Sequence, residues 1–154
     1  MIKIIDGNLL DSNADIICHQ VNCQGKMNSG IAKQIRERYP NVFVHYKKLC
    51  NFHCNKTELL GQCQAVEIDN GKYIANLFGQ LAYGYDGKQY TDLNALENSM
   101  YKLRNMYMLG TNKVIAFPYG LGSVRGGANW DDVYAIIEDV FKDCNVEIWR
   151  LDKG

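Results

Sequence analysis

Residues 15–32 read Asp15-Ile16-Ile17-Cys18-His19-Gln20-Val21-Asn22-Cys23-Gln24-Gly25-Lys26-Met27-Asn28-Ser29-Gly30-Ile31-Ala32. The stretch decides the fold because its character changes twice. Asp15–Val21 is a short apolar run, which predicts a buried strand. Asn22–Ser29 is polar and carries a glycine, and from Gly30 to Arg38 the residues turn helix-forming. Strand, polar loop and helix in that order make the unit from which a parallel sheet covered by helices is assembled.

The alternation continues in both directions. Ile2–Asp6 predicts an earlier strand. Tyr39-Pro40 ends the first helix, since the residue before proline disfavours the α region, and Pro40 suits the first position of a second helix running to about Leu49. Gln62–Ile68 and Lys72–Phe78 predict strands split by the turn pair Asn70-Gly71. Thr91–Leu109 predicts a long helix: Leu93, Leu96, Met100, Leu103 and Tyr107 recur at helical spacing, and Gly110 stands at C′. Lys113–Pro118 predicts a buried strand, Trp130–Lys142 a helix, and Val146–Leu151 the last strand. Asn129 is an N-cap, with Asp131 and Asp132 in the first turn, where the helix dipole favours them. The expectation is an α/β fold with a mixed or largely parallel sheet covered on both faces. All 154 residues are expected to form one domain.

Bulk composition narrows the function classes. Seventeen basic residues balance seventeen acidic ones, which argues against a general nucleic-acid binder but leaves room for a small anion held locally. Charge appears in the first residues and no long apolar stretch follows, so neither a signal peptide nor a membrane span is expected. Six cysteines read as reduced thiols of a cytoplasmic protein. Cys50, His53, Cys54 and Cys63 raise zinc as a possibility, but their spacing matches no usual finger or ribbon. Structural roles are expected for them, with no metal and no cofactor.

Two loops carry the candidate chemistry. The first is Asn22–Ala32, polar and ending at a helix N-terminus, where free N–H groups and the dipole favour an anion. The second, Tyr119–Asn129, follows another buried strand and holds four glycines between Gly120 and Gly127. Glycine there allows positive φ and close approach of a ligand. Glycines between a strand and a helix are ordinary turn chemistry, so neither loop alone identifies a site. Neither is a P-loop or a dinucleotide fingerprint. Two anion-competent loops at equivalent strand ends point to a diphosphate spanning them.

The motifs Ile5-Asp6-Gly7-Asn8-Leu9-Leu10, Ala14–Asn22, Met27-Asn28-Ser29-Gly30-Ile31-Ala32, Asn76-Leu77-Phe78-Gly79-Gln80 and Gly120–Gly127 with Trp130 together resemble a macrodomain. They are most similar to the branch that holds terminal ADP-ribose protein glycohydrolase, a DNA-ADP-ribose antitoxin macrodomain and a chromatin-remodeller macrodomain. The resemblance implies a three-layer α/β/α sandwich with a mixed central sheet and ADP-ribose in a surface cleft. It places Asn8 and Leu9 at the adenine, Asn8 standing where many macrodomains have an aspartate; as a bare sequence position Asn8 also reads as a post-strand turn residue. Leu151 packs on the adenine in this view, or else is a core leucine. Gln20, Asn22, Met27, Asn28, Ser29, Gly30 and Ile31 are assigned to the distal ribose and diphosphate. Gly120, Leu121, Gly122, Ser123, Val124 and Arg125 are assigned to closure over the diphosphate, Arg125 alternatively being a solvated surface residue.

The chain departs from these relatives where they carry a lysine after the strand ending Leu77-Phe78-Gly79: the residue is Gln80, no nucleophilic amine. Their catalytic aspartate falls near Gly126. Nor is the Asn-x-x-Asn pattern of another hydrolase branch complete, since Gly25 follows Asn22 by three. One reading is a mono-ADP-ribosyl hydrolase acting on modified proteins without the lysine, with Asn22, Gln80 and Ser123 positioning ribose or water. His19 is the nearby group that titrates near neutrality, though its apolar strand suits a structural histidine. Tyr83 and Tyr85, in the Leu81–Tyr90 loop, are candidates to cover the distal ribose, although exposed tyrosines are common. The other readings are a non-catalytic reader of ADP-ribosylation and a processor of a free ADP-ribose derivative. A domain of this size with no attached module tilts the expectation towards hydrolysis. The implied partners are ADP-ribose or an ADP-ribosylated protein, with nucleic acid only as an ADP-ribosylated substrate, and no membrane.

Overall fold

The structure is a computed structural model that describes residues 1–151. Six strands form one sheet: β1 (Ile2–Asp6), β2 (Ile16–Asn22), β3 (Cys63–Asp69), β4 (Lys72–Gln80), β5 (Val114–Pro118) and β6 (Asn145–Arg150). Their order across the sheet is β1-β6-β5-β2-β4-β3. Every neighbouring pair is parallel except β3 and β4, which pair antiparallel. The sheet is therefore mixed, with its single antiparallel strand at one edge.

Residue alternation along the strands builds two cores. Ile16 and Cys18 of β2 face the helices α3 (Leu93–Leu103) and α4 (Trp130–Val140), where they meet Leu96, Met100, Val133 and Ile137. Ile17 and Val21 face the other way, towards α1 (Gly30–Arg38) and α2 (Pro40–Phe52), and pack with Ile35, Val42 and Tyr46. β2 is thus buried on both faces, as apolar residues on both of its faces require. The outcome is the α/β/α sandwich. Phe78 and Phe117 are wholly buried in opposite layers, and each burial contributes on the order of 2–3 kcal/mol.

One expected element is shorter than its periodicity predicts. Helix α3 begins at Leu93 because the Asp92 side chain accepts from Ala95 N–H and caps it. Thr91 lies outside the helix, bridged to Gln80. At the other end the regular helix stops at Leu103 and a π-helical turn, Arg104–Met108, replaces the last turn. Gly110 follows with φ +69°, as a C′ residue does. Likewise α4 ends at Val140, where the Phe141 N–H closes on Ile137 O. No described helix is long and apolar enough to cross a membrane.

Candidate ADP-ribose cleft

The parallel strands β2, β4, β5 and β6 end on one side of the sheet, and the loops that leave them enclose a cleft of about 660 Å³. This volume lies within the range of small-molecule sites.

The first loop is shaped by Asn22. Its Oδ1 accepts from Gln24 N–H (2.9 Å) and its Nδ2 donates to Lys26 O (3.0 Å). The buried Tyr46 hydroxyl donates to the Asn22 carbonyl (2.6 Å). Asn22 is consequently a staple for the turn, with one amide N–H left for the cleft it lines. The chain then drops Met27 into the core before rising through Asn28 and Ser29 to α1. Among the described residues, the N–H groups of Gly30, Ile31 and Ala32 have no protein acceptor. They point the positive end of α1 at the cleft.

The second loop is sewn to the segment that precedes α3. Tyr90 and Thr91 N–H groups both donate to Gly126 O, at 2.7 and 3.0 Å. Gln20 Nε2 donates to Gln80 Oε1 (2.6 Å) and to Thr91 Oγ1 (2.8 Å), and the Thr91 hydroxyl in turn donates to Gly122 O (2.7 Å). Glycine is required at the crossing points. A Cβ on Gly126 would lie 2.0 Å from Thr91 Oγ1 and 2.4 Å from Gly122 O, and one on Gly79 would lie 2.4 Å from Gln20 Oε1. Gly122 has φ +72°, a conformation costly for other residues. Held this way, the N–H groups of Gly122, Val124, Arg125 and Gly126 have no protein acceptor among the described residues.

The two ends of the cleft differ. One is walled by Leu9, Trp149 and Leu151 with Tyr119, the other by Asn22, Gln20 and Gln80 with Tyr83 and Tyr85. An apolar, aromatic end suits a purine and an amide-rich end suits ribose hydroxyls. Among the described residues, the lining includes Lys26, Arg125 and Arg150 and no carboxylate. Arg150 pairs with Asp6 (2.9 Å) and stands over Tyr119 (5.6 Å). Lys26 and Arg125 therefore bring positive charge to the cleft, although the chain as a whole is neutral.

Most of the expected residues meet here. Asn8, Leu9, Gln20, Asn22, Asn28, Ser29, Gly30, Ile31, Gln80, Gly120, Leu121, Gly122, Ser123, Val124, Arg125 and Leu151 all line the cleft. Asn8 is also the turn residue of its alternative reading, since its Oδ1 accepts from Leu10 N–H (2.9 Å). Leu151 is not a core leucine: it is 60% exposed. Arg125 lies with its guanidinium 4.6 Å from the Tyr85 ring centre.

Two expectations are corrected. Met27 is wholly buried against α1 and α2 and does not line the cleft; its role is to anchor the loop. His19 points into the α1/α2 layer, wholly buried, with Nε2 2.6 Å from Asn76 Oδ1. Burial pulls its pKa down to about 4, opposed by the Asn76 hydrogen bond, so it stays neutral, and it is not among the residues that line the cleft. The remaining catalytic candidates are engaged in holding structure. Gln80 accepts from Gln20 and donates to Ala82 O (2.7 Å), and the Ser123 hydroxyl donates to Gly120 O (2.6 Å). Thr91 was missed by sequence reasoning because it sat inside an expected helix. Trp149 was missed because alternation along β6 gave no sign that its ring reaches the cleft.

A model described as Macro domain matches residues 18–137, which span β2 to α4. The DNA ADP-ribosyl glycohydrolase of Mycobacterium tuberculosis is 29% identical over 146 residues, covering 92% of this chain and 39% of that protein. That of Thermus aquaticus is 25% identical over 158 residues, covering 97% of the chain and 40% of the relative. The chain thus spans about two fifths of the length of these curated relatives. Among solved structures, the macrodomain of Mycobacterium tuberculosis DarG superposes with a TM-score of 0.78 at 28% identity, covering 97% of each chain. Thermosipho africanus DarTG in complex with ADP-ribose shares the fold with a TM-score of 0.77 at 19% identity, over 97% of this chain and 41% of that one. With the family model covering most of the sheet and the cleft lying where its loops converge, this chain belongs to the Macro domain family.

Proposed function

We propose that this chain binds ADP-ribose in the cleft and releases it by hydrolysis from an ADP-ribosylated macromolecule, DNA being the substrate class. The observation that carries the reading is the pair of donor sets, at the α1 N-terminus and at Gly122–Gly126, in a cleft whose described lining has cations and no carboxylate. A diphosphate between them accepts hydrogen bonds from backbone groups that have no other acceptor. The adenine then lies against Leu9, Trp149 and Leu151, and the distal ribose reaches Asn22 and Gln80. The names of the relatives, DNA ADP-ribosyl glycohydrolases, favour DNA over protein as the carrier.

Glutamine at position 80 and glycine at 126 leave neither of these positions with a nucleophilic amine or a carboxylate. Water is then the nucleophile. Its oxygen bonds to the anomeric carbon, the bond to the leaving group breaks, and one water proton ends on the leaving group. The protein contributes by fixing the ribose and diphosphate and by stabilising charge with N–H dipoles and cations.

The same two residues favour a second reading, a reader that holds ADP-ribose without cutting it. A time course of free ADP-ribose release from base-modified single-stranded DNA, and from serine- and glutamate-linked peptides, separates the two when binding is measured in parallel. Catalytic release from the DNA supports the hydrolase. Tight binding with no release from any of them makes the chain a reader, and no binding at all refutes both. We also place the protein in the cytoplasm, supported by its six free thiols.

A further inference from the structure

Two tyrosines stand at the rim beside Gln80, in the loop that leaves β4. Tyr83 is 43% exposed and Tyr85 is 66% exposed. Their turn is built and held from within. The Tyr90 hydroxyl donates to Asp86 Oδ1 (2.9 Å), and Gly84 leaves it room, since a Cβ there would lie 2.2 Å from the Tyr90 oxygen. Asp86 is further paired with Lys88 (3.8 Å), so the acidic group of this loop is compensated. From the facing loop, Arg125 places its guanidinium 4.6 Å from the Tyr85 ring centre, and the ring remains largely open to solvent.

We propose that Tyr83, Tyr85 and Arg125 form a platform for an unpaired base of the DNA strand that carries the ADP-ribosyl group. The proposal rests on the cleft binding ADP-ribose as described above. The amide-rich end of the cleft holds the distal ribose, so whatever is linked to that ribose leaves the protein past these rings. Aromatic faces backed by an arginine are the means by which proteins hold single-stranded nucleic acid, because every base has a π-face to stack. A peptide is held instead by backbone hydrogen bonds or side-chain pockets, and the rim presents rings and a cation.

The neutral total charge sets the scale of this contact. A chain with seventeen residues of each sign has no general grip on a phosphate backbone. The platform therefore engages one or two bases, and only when the ADP-ribosyl group in the cleft brings them to high effective concentration. Unmodified strands bind weakly.

The test compares a Tyr83→Ala, Tyr85→Ala double variant with the unaltered chain on three probes. These are a short single-stranded DNA with ADP-ribose on one base, a peptide with ADP-ribose on serine, and free ADP-ribose. The readout is each modified probe's affinity divided by that for free ADP-ribose. The DNA ratio is expected to fall roughly tenfold or more on losing the rings, while the peptide ratio holds. A Tyr83→Phe, Tyr85→Phe variant keeps the DNA ratio, because stacking uses the ring and not the hydroxyl. An unchanged DNA ratio in the alanine variant, or an equal fall in the peptide ratio, overturns the platform. Failure of the unaltered chain to bind free ADP-ribose overturns instead the reading on which it stands.

Discussion

Thr91→Val tests whether the second loop is held in its binding form by a single hydroxyl. That hydroxyl donates to Gly122 O (2.7 Å) and accepts from Gln20 Nε2 (2.8 Å). Valine is nearly isosteric, so the change removes two hydrogen bonds and little packing. Neither partner is left bare, because Gly122 O still accepts from Ala128 N–H (3.1 Å) and Gln20 Nε2 still donates to Gln80 Oε1 (2.6 Å). The loss is then about 1–2 kcal/mol, below the cost of orphaning a buried polar group. The expected result by calorimetry is ADP-ribose binding about 5- to 30-fold weaker, with Tm lower by roughly 2–8 °C. Thr91→Ser, which keeps the hydroxyl, restores most of the affinity. If Thr91→Val lowers Tm yet binds ADP-ribose as tightly as the unaltered chain, the loop is not positioned by this residue and the reasoning fails.

Gly122→Val forces a β-branched residue to φ +72° and drives its Cβ to 3.1 Å from Gln20 Oε1; ADP-ribose binding should be lost with the circular dichroism spectrum retained, and unchanged affinity would remove the loop from the site. Gly126→Asp, which puts a carboxylate near the position that the resemblance assigns to a catalytic aspartate, should weaken ADP-ribose binding without raising turnover, because its Cβ collides with the Gly122 carbonyl; a gain in turnover would contradict the packing. His19 gives a pH signature. Its folded pKa, about 4, lies below the ordinary value of 6.5, so the neutral form is the one that the fold keeps. Its contribution to stability is present above pH 6.5 and is lost as the pH falls from there towards 4, by up to about 3 kcal/mol. Denaturant unfolding across that window should therefore show a shallower pH slope for His19→Gln, and identical slopes would place the histidine's proton elsewhere.

The sequence by itself determined the layers and the loops. The apolar residues Ile16, Ile17, Cys18 and Val21 point to both faces of one strand and so require a helical layer on each side, and helical spacing at Leu93, Leu96, Met100 and Leu103 fixed which residues one layer would supply. Glycines after β2 and β5 marked where the backbone would open to an anion, and of these Gly30, Gly120, Gly122 and Gly126 line the cleft. Tertiary structure alone decided what the polar residues do. His19 and Gln20 are chain neighbours, yet strand alternation sends one into the α1/α2 layer and the other to the end of the sheet beside Thr91. Met27 sits among cleft residues in the chain but fills the core, because apolar burial outweighs its neighbours' exposure. Thr91 lies 31 residues from Gly122 and Trp149 lies on a different strand from either loop, so no local pattern relates them to the site. Periodicity reports which side of an element faces the core; which distant backbone atom a hydroxyl reaches depends on how the whole sheet is ordered.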